Sequence, residues 1–312
     1  MQVSVQILLA TYNGARFLRE QLDSLFNQTF QDFTILIRDD GSTDNTVQII
    51  EEYNQKFPNK ITLLQDSFKN VGATQNFGIL LENAAADYIF FCDQDDIWVK
   101  HKIEKSLQKI QSLENGNSEA LCYIFTDMKA IDEAGNITDN SVWSKLLLHP
   151  DYCTLNRLLI QNIPHGCTMV INKAMRNLAV PIPKEAILHD HWMALIAAAC
   201  GKSAYIEEPL VLLRNHAQNV TRKKNTLSDK LKRFSTNFWS KDQYEYFIAI
   251  RVNQAKVLKE RVGNNITKDK LELLNKFIQL ENTSGLQRKK LFLQNKFYRS
   301  TFWHTLKMIA RA

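Results

Sequence analysis

Residues 88–96 read Tyr88-Ile89-Phe90-Phe91-Cys92-Asp93-Gln94-Asp95-Asp96, and this stretch decides how the rest of the chain is read. Its apolar run is unbroken between Asp87 and Asp93. A strand without a polar face is covered on both sides, as in a parallel sheet between helical layers. Upstream, Val3–Leu9, Phe33–Ile37 and Ile61–Leu64 are short apolar runs of strand character. Between them Ala15–Asn27, Thr43–Tyr53 (behind Ser42 or Asp44 as cap) and Ala73–Asn83 carry apolar residues at helical spacing. Strict strand–helix alternation predicts right-handed βαβ units in a mostly parallel sheet. The dinucleotide Gly-x-Gly-x-x-Gly and the full Walker loop are absent, so neither common phosphate loop explains the pattern.

Downstream the rhythm loosens. A helix is predicted over Val99–Leu113, a strand over Leu121–Ala130 and a turn at Glu133–Asn136. A strand at Thr168–Ile171, a helix at Asp190–Cys200 and short strands at Ala204–Ile206 and Leu210–Arg214 follow. From Leu227 only helices are expected, broken near Gly263 and Gly285. With 312 residues, 45% hydrophobic, 10 Gly and 6 Pro, the composition is that of a soluble globular chain and excludes collagen-like or Pro/Gly-rich material. Met193–Cys200, the longest apolar candidate, is too short to span a bilayer. The first residues lack a basic region and a small-residue cleavage site, so no signal peptide is expected. Five cysteines without a Cys-x-x-Cys pair point to a reducing compartment rather than to disulfides or zinc.

Three polar clusters fall where the first, second and fourth strands end, which is where ligands bind in open parallel sheets. They are Thr11-Tyr12-Asn13-Gly14, Arg38-Asp39-Asp40-Gly41-Ser42-Thr43-Asp44 and Asp93-Gln94-Asp95-Asp96. Taken alone, the second reads as a capped turn. In the third, three carboxylates in four positions repel one another unless a cation or a proton compensates. All-oxygen ligands point to Mg²⁺ or Mn²⁺, and a nucleotide diphosphate is the species such a cation would hold. Asp39 would then accept the N–H of a pyrimidine base and Asp93 a ribose hydroxyl.

TYNG, RDDGSTD and DQDD at these spacings resemble the nucleotide-sugar domain of inverting family 2 glycosyltransferases of the GT-A fold, over roughly residues 3–220. DQDDIW, HDHW and Arg214-Asn215-His216 are most similar to bacterial rhamnosyltransferases that extend cell-wall or surface polysaccharides. The resemblance implies a mixed, mostly parallel sheet flanked by helices, with a C-terminal helical region. It implies that Thr11, Tyr12, Asn13, Asp39, Asp40 and Asp93 hold the nucleotide, and that Asp95 with His216 holds the metal. It makes Asp190 the catalytic base, where the family's Glu-Asp is here His189-Asp190. By residues alone Asp190 reads equally as a helix cap, and His216 as a structural loop histidine. Asp96, Trp98, Gly166, Cys167, Thr168 and His189 are expected around the sugar and acceptor, with a core position the other reading of Trp98. The implied donor is dTDP-L-rhamnose, with UDP-hexose or UDP-N-acetylhexosamine as the alternative and a polyprenyl-linked saccharide as acceptor. A non-catalytic nucleotide-sugar binder is the reading from a different class. The Q-x-x-R-W motif of processive synthases is absent, so one sugar per encounter is implied.

The net charge of +6 hides a division. Residues 1–220 hold 18 Lys and Arg against 26 Asp and Glu, a net of −8, whereas 221–312 hold 21 against 7, a net of +14. The expected domains follow that boundary: 1–220 catalytic, its nucleotide half about 1–100 and acceptor half about 101–220, then 221–312 basic and helical. On a helical wheel of 288–311, Leu291, Tyr298, Phe302, Leu306 and Ile309 share a stripe. Lys289, Lys296, Arg299, Lys307 and Arg311 adjoin it, with Phe292 and Trp303 at the border. That describes an interfacial helix on an anionic membrane, or a stripe packed on the catalytic domain. Nucleic acid is disfavoured because no binding motif accompanies the charge. The expected location is cytoplasmic, peripheral on the inner face of the bacterial plasma membrane, and a homo-oligomer is possible.

Overall fold

The computed structural model describes residues 3–216 and 240–312. Four parallel strands open the chain: β1 (Val5–Thr11), β2 (Thr34–Asp39), β3 (Ile61–Leu63) and β4 (Tyr88–Asp93). Helices α1 (Leu18–Phe26), α2 (Thr46–Lys56) and α3 (Ala73–Asn83) connect them as the alternation predicts. After β5 (Ile97–Trp98) and α4 (Lys102–Glu114) comes the long β6 (Cys122–Ile131), which turns into β7 (Ile137–Asp139). Short helices α5 (Val142–Leu146) and α6 (Leu155–Leu158) precede β8 (Val170–Asn172), α7 (Lys173–Ala179), α8 (His189–Cys200) and β9 (Lys202–Arg214). The sheet order is β3-β2-β1-β4-β8-β6-β9-β5, with β7 on β6. Strand β8 runs antiparallel between β4 and β6, while β6 and β9 are parallel.

Each central strand buries both faces, as the run at 88–92 requires. Ile7, Leu9, Ile35, Ile37, Phe90 and Cys92 face a core shared with α1, α2 and α4. Leu8, Leu36, Ile89 and Phe91 face the opposite layer, under α3 and α8. Register then places the functional ends together: Thr11 lies opposite Asp39, and Ala10 opposite Asp93. Three details depart from the sequence reading. The strand expected from Thr168 begins at Val170, because Gly166–Thr168 forms a 3₁₀ turn. The two short strands near 204 and 210 are one strand, irregular in register where it passes Pro209. Neither β5 nor the β7 hairpin partner was anticipated; the first is two residues long.

The boundary at 220/221, and the start of helix at Leu227, lie outside the described residues. From Lys241 the chain is helical: α9 (Lys241–Val262), α10 (Lys268–Ile278), α11 (Gly285–Gln294) and α12 (Phe302–Arg311). Helix α9 opens with a capping box, Ser240 with Gln243, and buries Tyr244, Ile248, Val252, Ala255 and Leu258 in the same core as Trp192 and Ile196 of α8. The single wheel drawn through 288–311 is incorrect. Helix stops at Gln294, Lys296 adopts φ 52°, and Phe292 with Phe297 is fully buried. Thus part of the apolar stripe packs inward, while Phe302, Trp303 and Leu306 of α12 are exposed. Among the described residues, no helix is long and apolar enough to cross a membrane.

Candidate active site

One side of the candidate site is built from the ends of β1 and β2. Thr11 Oγ1 donates to Asp39 Oδ1 at 2.9 Å, and Asp39 Oδ2 accepts the N–H groups of Gly41 and Ser42 at 3.1 and 2.7 Å. The Ser42 hydroxyl adds a bond to Asp39 Oδ1 at 2.6 Å. Asn13, at φ 47°, donates its N–H to Ser42 Oγ, and its side-chain oxygen accepts from the Thr43 N–H, both at 2.8 Å. Gly14 is required by a close approach: a Cβ there would lie 2.1 Å from Gln94 Oε1. Gln94 can therefore bond both backbone groups of Tyr12, at 2.8 and 2.9 Å, tying the first loop to the third. The Tyr12 ring itself is exposed, open to a stacking partner. Asp40 is different. It is buried, pairs with Arg38 at 3.0 Å, and accepts the N–H groups of Val71 and Gly72, so it braces the loop from inside.

The acidic cluster follows β4. Asp95 Oδ2 lies 2.7 Å from His216 Nε2, which brings together the pair expected at a metal. Asp96 is buried; one oxygen accepts the Arg214 N–H at 3.1 Å and the other has no partner among the described residues. Asp93, Asp96 and the Cys167 sulfur fall within 4.8 Å of one another. Burial pushes the Asp93 carboxyl up to about 7, helped by the charges of Asp95 and Asp190, and burial with the charges of Asp95 and Asp93 raises Asp96 as well. Arg214 supports this turn from below: its Nε donates to the Asp95 carbonyl at 3.0 Å and its guanidinium pairs with Glu20. Sequence reasoning missed Lys102, fully buried with its ammonium 4.7 Å from the Trp98 ring centroid. Burial lowers it to about 8, although Cys167, Cys92 and Asp96 favour its charge. A lysine at a helix start reads as solvated, and only the fold shows otherwise. Trp98 corrects an expectation: it packs against Phe90 beneath Lys102 and is not a sugar-stacking wall.

On the far side, Asp190 occupies the first turn of α8. Its oxygens accept the Gly166 N–H at 3.1 Å and the His191 N–H at 2.6 Å; the helix cap is Leu188, so Asp190 is not the N-cap its position suggests. Burial raises it to about 6 against the pull of those bonds, and its charge helps to raise Asp93. His189 stacks on Phe77 with centroids 4.2 Å apart, and neither ring nitrogen has a partner among the described residues. Burial lowers it to about 3, keeping the imidazole neutral. A Cβ on Gly166 would come within 2.6 Å of His189 Nε2, so glycine lets this loop lie between the imidazole and the carboxylate. Cys167 and Thr168 shape the loop from within: the thiol contacts the Met128 sulfur at 3.7 Å, and the hydroxyl bonds the His165 carbonyl at 2.8 Å. His191 is a strut, its Nε2 on the Leu158 carbonyl at 2.6 Å and its Nδ1 beside Gln254 of α9. Tyr123, whose buried hydroxyl has no partner among the described residues and lies within electrostatic reach of Asp190, had no signal in a strand that reads as core.

Residues 6–170 match the family model described as glycosyl transferase family 2. The chain is 32% identical over 244 residues, 72% of its length and 77% of the relative's, to the dTDP-rhamnosyl transferase RfbG of Shigella flexneri. Among solved structures, S. aureus TarS 1-349 in complex with UDP-GlcNAc superposes with a TM-score of 0.58 at 15% identity, over 94% of this chain and 80% of that one. The mannosyltransferase PcManGT from Pyrobaculum calidifontis, in complex with GDP-Man and Mn²⁺, gives 0.53 at 13%, over 100% and 86%. At such identities the superpositions speak for the fold alone, and they agree on a GT-A architecture.

Proposed function

The chain belongs to glycosyltransferase family 2, and on that premise we propose that it is an inverting, metal-dependent rhamnosyltransferase using dTDP-L-rhamnose on a lipid-linked saccharide. The observation that carries the reading is that Asp190 is buried near enough to the acidic turn for its charge to help raise the Asp93 carboxyl. Likeness to the Shigella flexneri dTDP-rhamnosyl transferase supports the donor.

The donor set suits a hard divalent cation, Mn²⁺ or Mg²⁺. Asp95 Oδ2 and His216 Nε2, hydrogen-bonded to each other at 2.7 Å, are oxygen and nitrogen donors that such a cation could take up. Asp95 and His216 would hold it with Asp93 alongside, and when bound it would neutralise charge on the diphosphate leaving group. Thr11, Asn13 and Asp39 set the loop that takes the nucleotide, Tyr12 offers a stacking face, and Asp40 acts by bracing. Asp190 takes the proton from the acceptor hydroxyl as that oxygen attacks the anomeric carbon, so a single displacement inverts the centre. The raised carboxyl suits that task, because a base near neutrality both ionises and holds the proton it receives.

The exposed Phe302, Trp303 and Leu306 beside Lys307 and Arg311 support seating on an anionic membrane, where a lipid-linked acceptor would be met. The deciding assay incubates the protein with dTDP-rhamnose and, separately, UDP-hexoses, with and without Mn²⁺. Metal-stimulated dTDP release and loss of transfer in Asp190→Asn are expected. Turnover of a UDP-sugar in preference would move the donor to the alternative, and binding without turnover would sink the enzymatic reading.

A further inference from the structure

Helix α9 follows the sheet in sequence yet reaches the segment that carries Asp190. Its Gln254 is 1% exposed and bonds that segment twice. Oε1 accepts the Ile187 N–H at 2.7 Å, and Nε2 lies 3.3 Å from Nδ1 of His191. The two contacts stand on either side of Asp190. A backbone N–H only donates, which fixes the amide oxygen on Ile187 and turns the amide nitrogen toward the imidazole. Nδ1 therefore accepts, and Nε2 carries the proton that bonds the Leu158 carbonyl at 2.6 Å. Burial lowers His191 to about 4, in keeping with a neutral ring used at both nitrogens. The backbone N–H of the same histidine is the one that bonds Asp190 Oδ1 at 2.6 Å. In the first turn of α8 no carbonyl of the helix is placed to accept it. Neighbours on the same face of α9 hold the flanks: Arg251 donates to the Ile160 carbonyl, and Arg261 to the carbonyls of Leu178, Val180 and Pro181.

Packing does not call for an amide at this place. Val252, Ala255 and Leu258 already bury α9 in the core it shares with α8, and a buried amide costs free energy unless both of its ends are bonded. We propose that Gln254 is a positioning residue for the catalytic base, acting through Ile187 and His191 to hold the Asp190 carboxylate in place. The inference rests on the reading of Asp190 as that base. It gives the C-terminal helices a part in catalysis, separate from any contact with a membrane.

The test uses the whole protein and the nucleotide sugar that the donor assay selects. Gln254→Met removes both bonds at nearly unchanged volume, and Gln254→Glu keeps only the acceptor for Ile187. Two quantities are read on each: steady-state turnover with the donor varied, and hydrogen exchange of the His191 amide, which reports the bond to Asp190 without any substrate. Gln254→Met is expected to lower kcat about tenfold with donor KM within about twofold. It should also speed exchange at His191 about tenfold. Gln254→Glu should fall between it and wild type in both readings. A folded methionine variant with wild-type kcat or wild-type exchange overturns the inference. If the methionine variant does not fold, the glutamate variant decides: lower kcat with faster exchange supports the inference, and wild-type values overturn it. Asp190→Asn is run in parallel. Full turnover there brings down the base reading and this inference together, whereas lost turnover there beside a wild-type methionine variant overturns the role of Gln254 alone.

Discussion

The two walls of the cleft are built on opposite principles. On the nucleotide wall almost every polar atom is already bonded: Asp39 accepts from Thr11, Gly41 and Ser42, and Asp40 is closed by Arg38, Val71 and Gly72. On the Asp190 side His189, Tyr123 and Asn162 keep buried atoms without partners among the described residues. The first wall is preorganised and takes its ligand with little rearrangement. The second holds polar groups at a cost of about 1–3 kcal/mol each when nothing satisfies them, so a ligand that bonds them there gains most.

The largest effect should come from removing the base. Asp190→Asn is expected to lower kcat at least about 10³-fold while leaving dTDP affinity within a factor of two or so, measured by titration calorimetry. Activity of the wild type should rise with pH through about 6, where Asp190 ionises. The same group has a stability signature. Its folded value lies above the ordinary 3.8, so its contribution to stability is present below that pH and is lost as pH rises through about 6. Asp190→Asn should therefore be more stable than wild type at pH 8, by about 2 kcal/mol, and the gap should close by pH 4. Equal melting temperatures at both pH values would show that Asp190 is not buried as described.

Asp40→Ala should act on the other wall and on stability first. It leaves Arg38 buried with one partner fewer and should cost about 3 kcal/mol, read as a fall in urea midpoint. A variant of near-normal stability but weak nucleotide binding would instead make Asp40 a direct contact. Gly166→Ala should push against His189 and the Asp190 bond, lowering kcat roughly tenfold with donor affinity kept. The smallest change is expected from Tyr12→Ala, which removes an exposed stacking face and should weaken dTDP binding by a few fold.

These contrasts also explain what the sequence could disclose. Strand–helix alternation and the apolar run at 88–92 are local signals, and the strands and helices up to Asp93 follow them closely. The strand-end clusters were legible for the same reason, since strand ends and turns share residue types. Roles set by distant contacts were not legible. Trp98 could not be told from a sugar wall until Lys102 was seen above it, and Asp40 could not be separated from Asp39 without Arg38 and the 71–72 backbone. The wheel through 288–311 failed because an αL residue at Lys296 leaves no local periodicity signal, while Phe292 and Phe297 turn inward.

Arg214 ties Glu20, the Asp95 carbonyl and Asp96 into one knot, across sequence separations of 194, 119 and 118 residues. The consequence concerns synthesis. A growing polypeptide that has already delivered its first four strands still lacks the residue that fixes the acidic turn. Early elements can form as they emerge, but such long-range closures come late. The acidic turn is thus completed only after β9 has left the ribosome, and every shorter nascent chain lacks the arginine that fixes it.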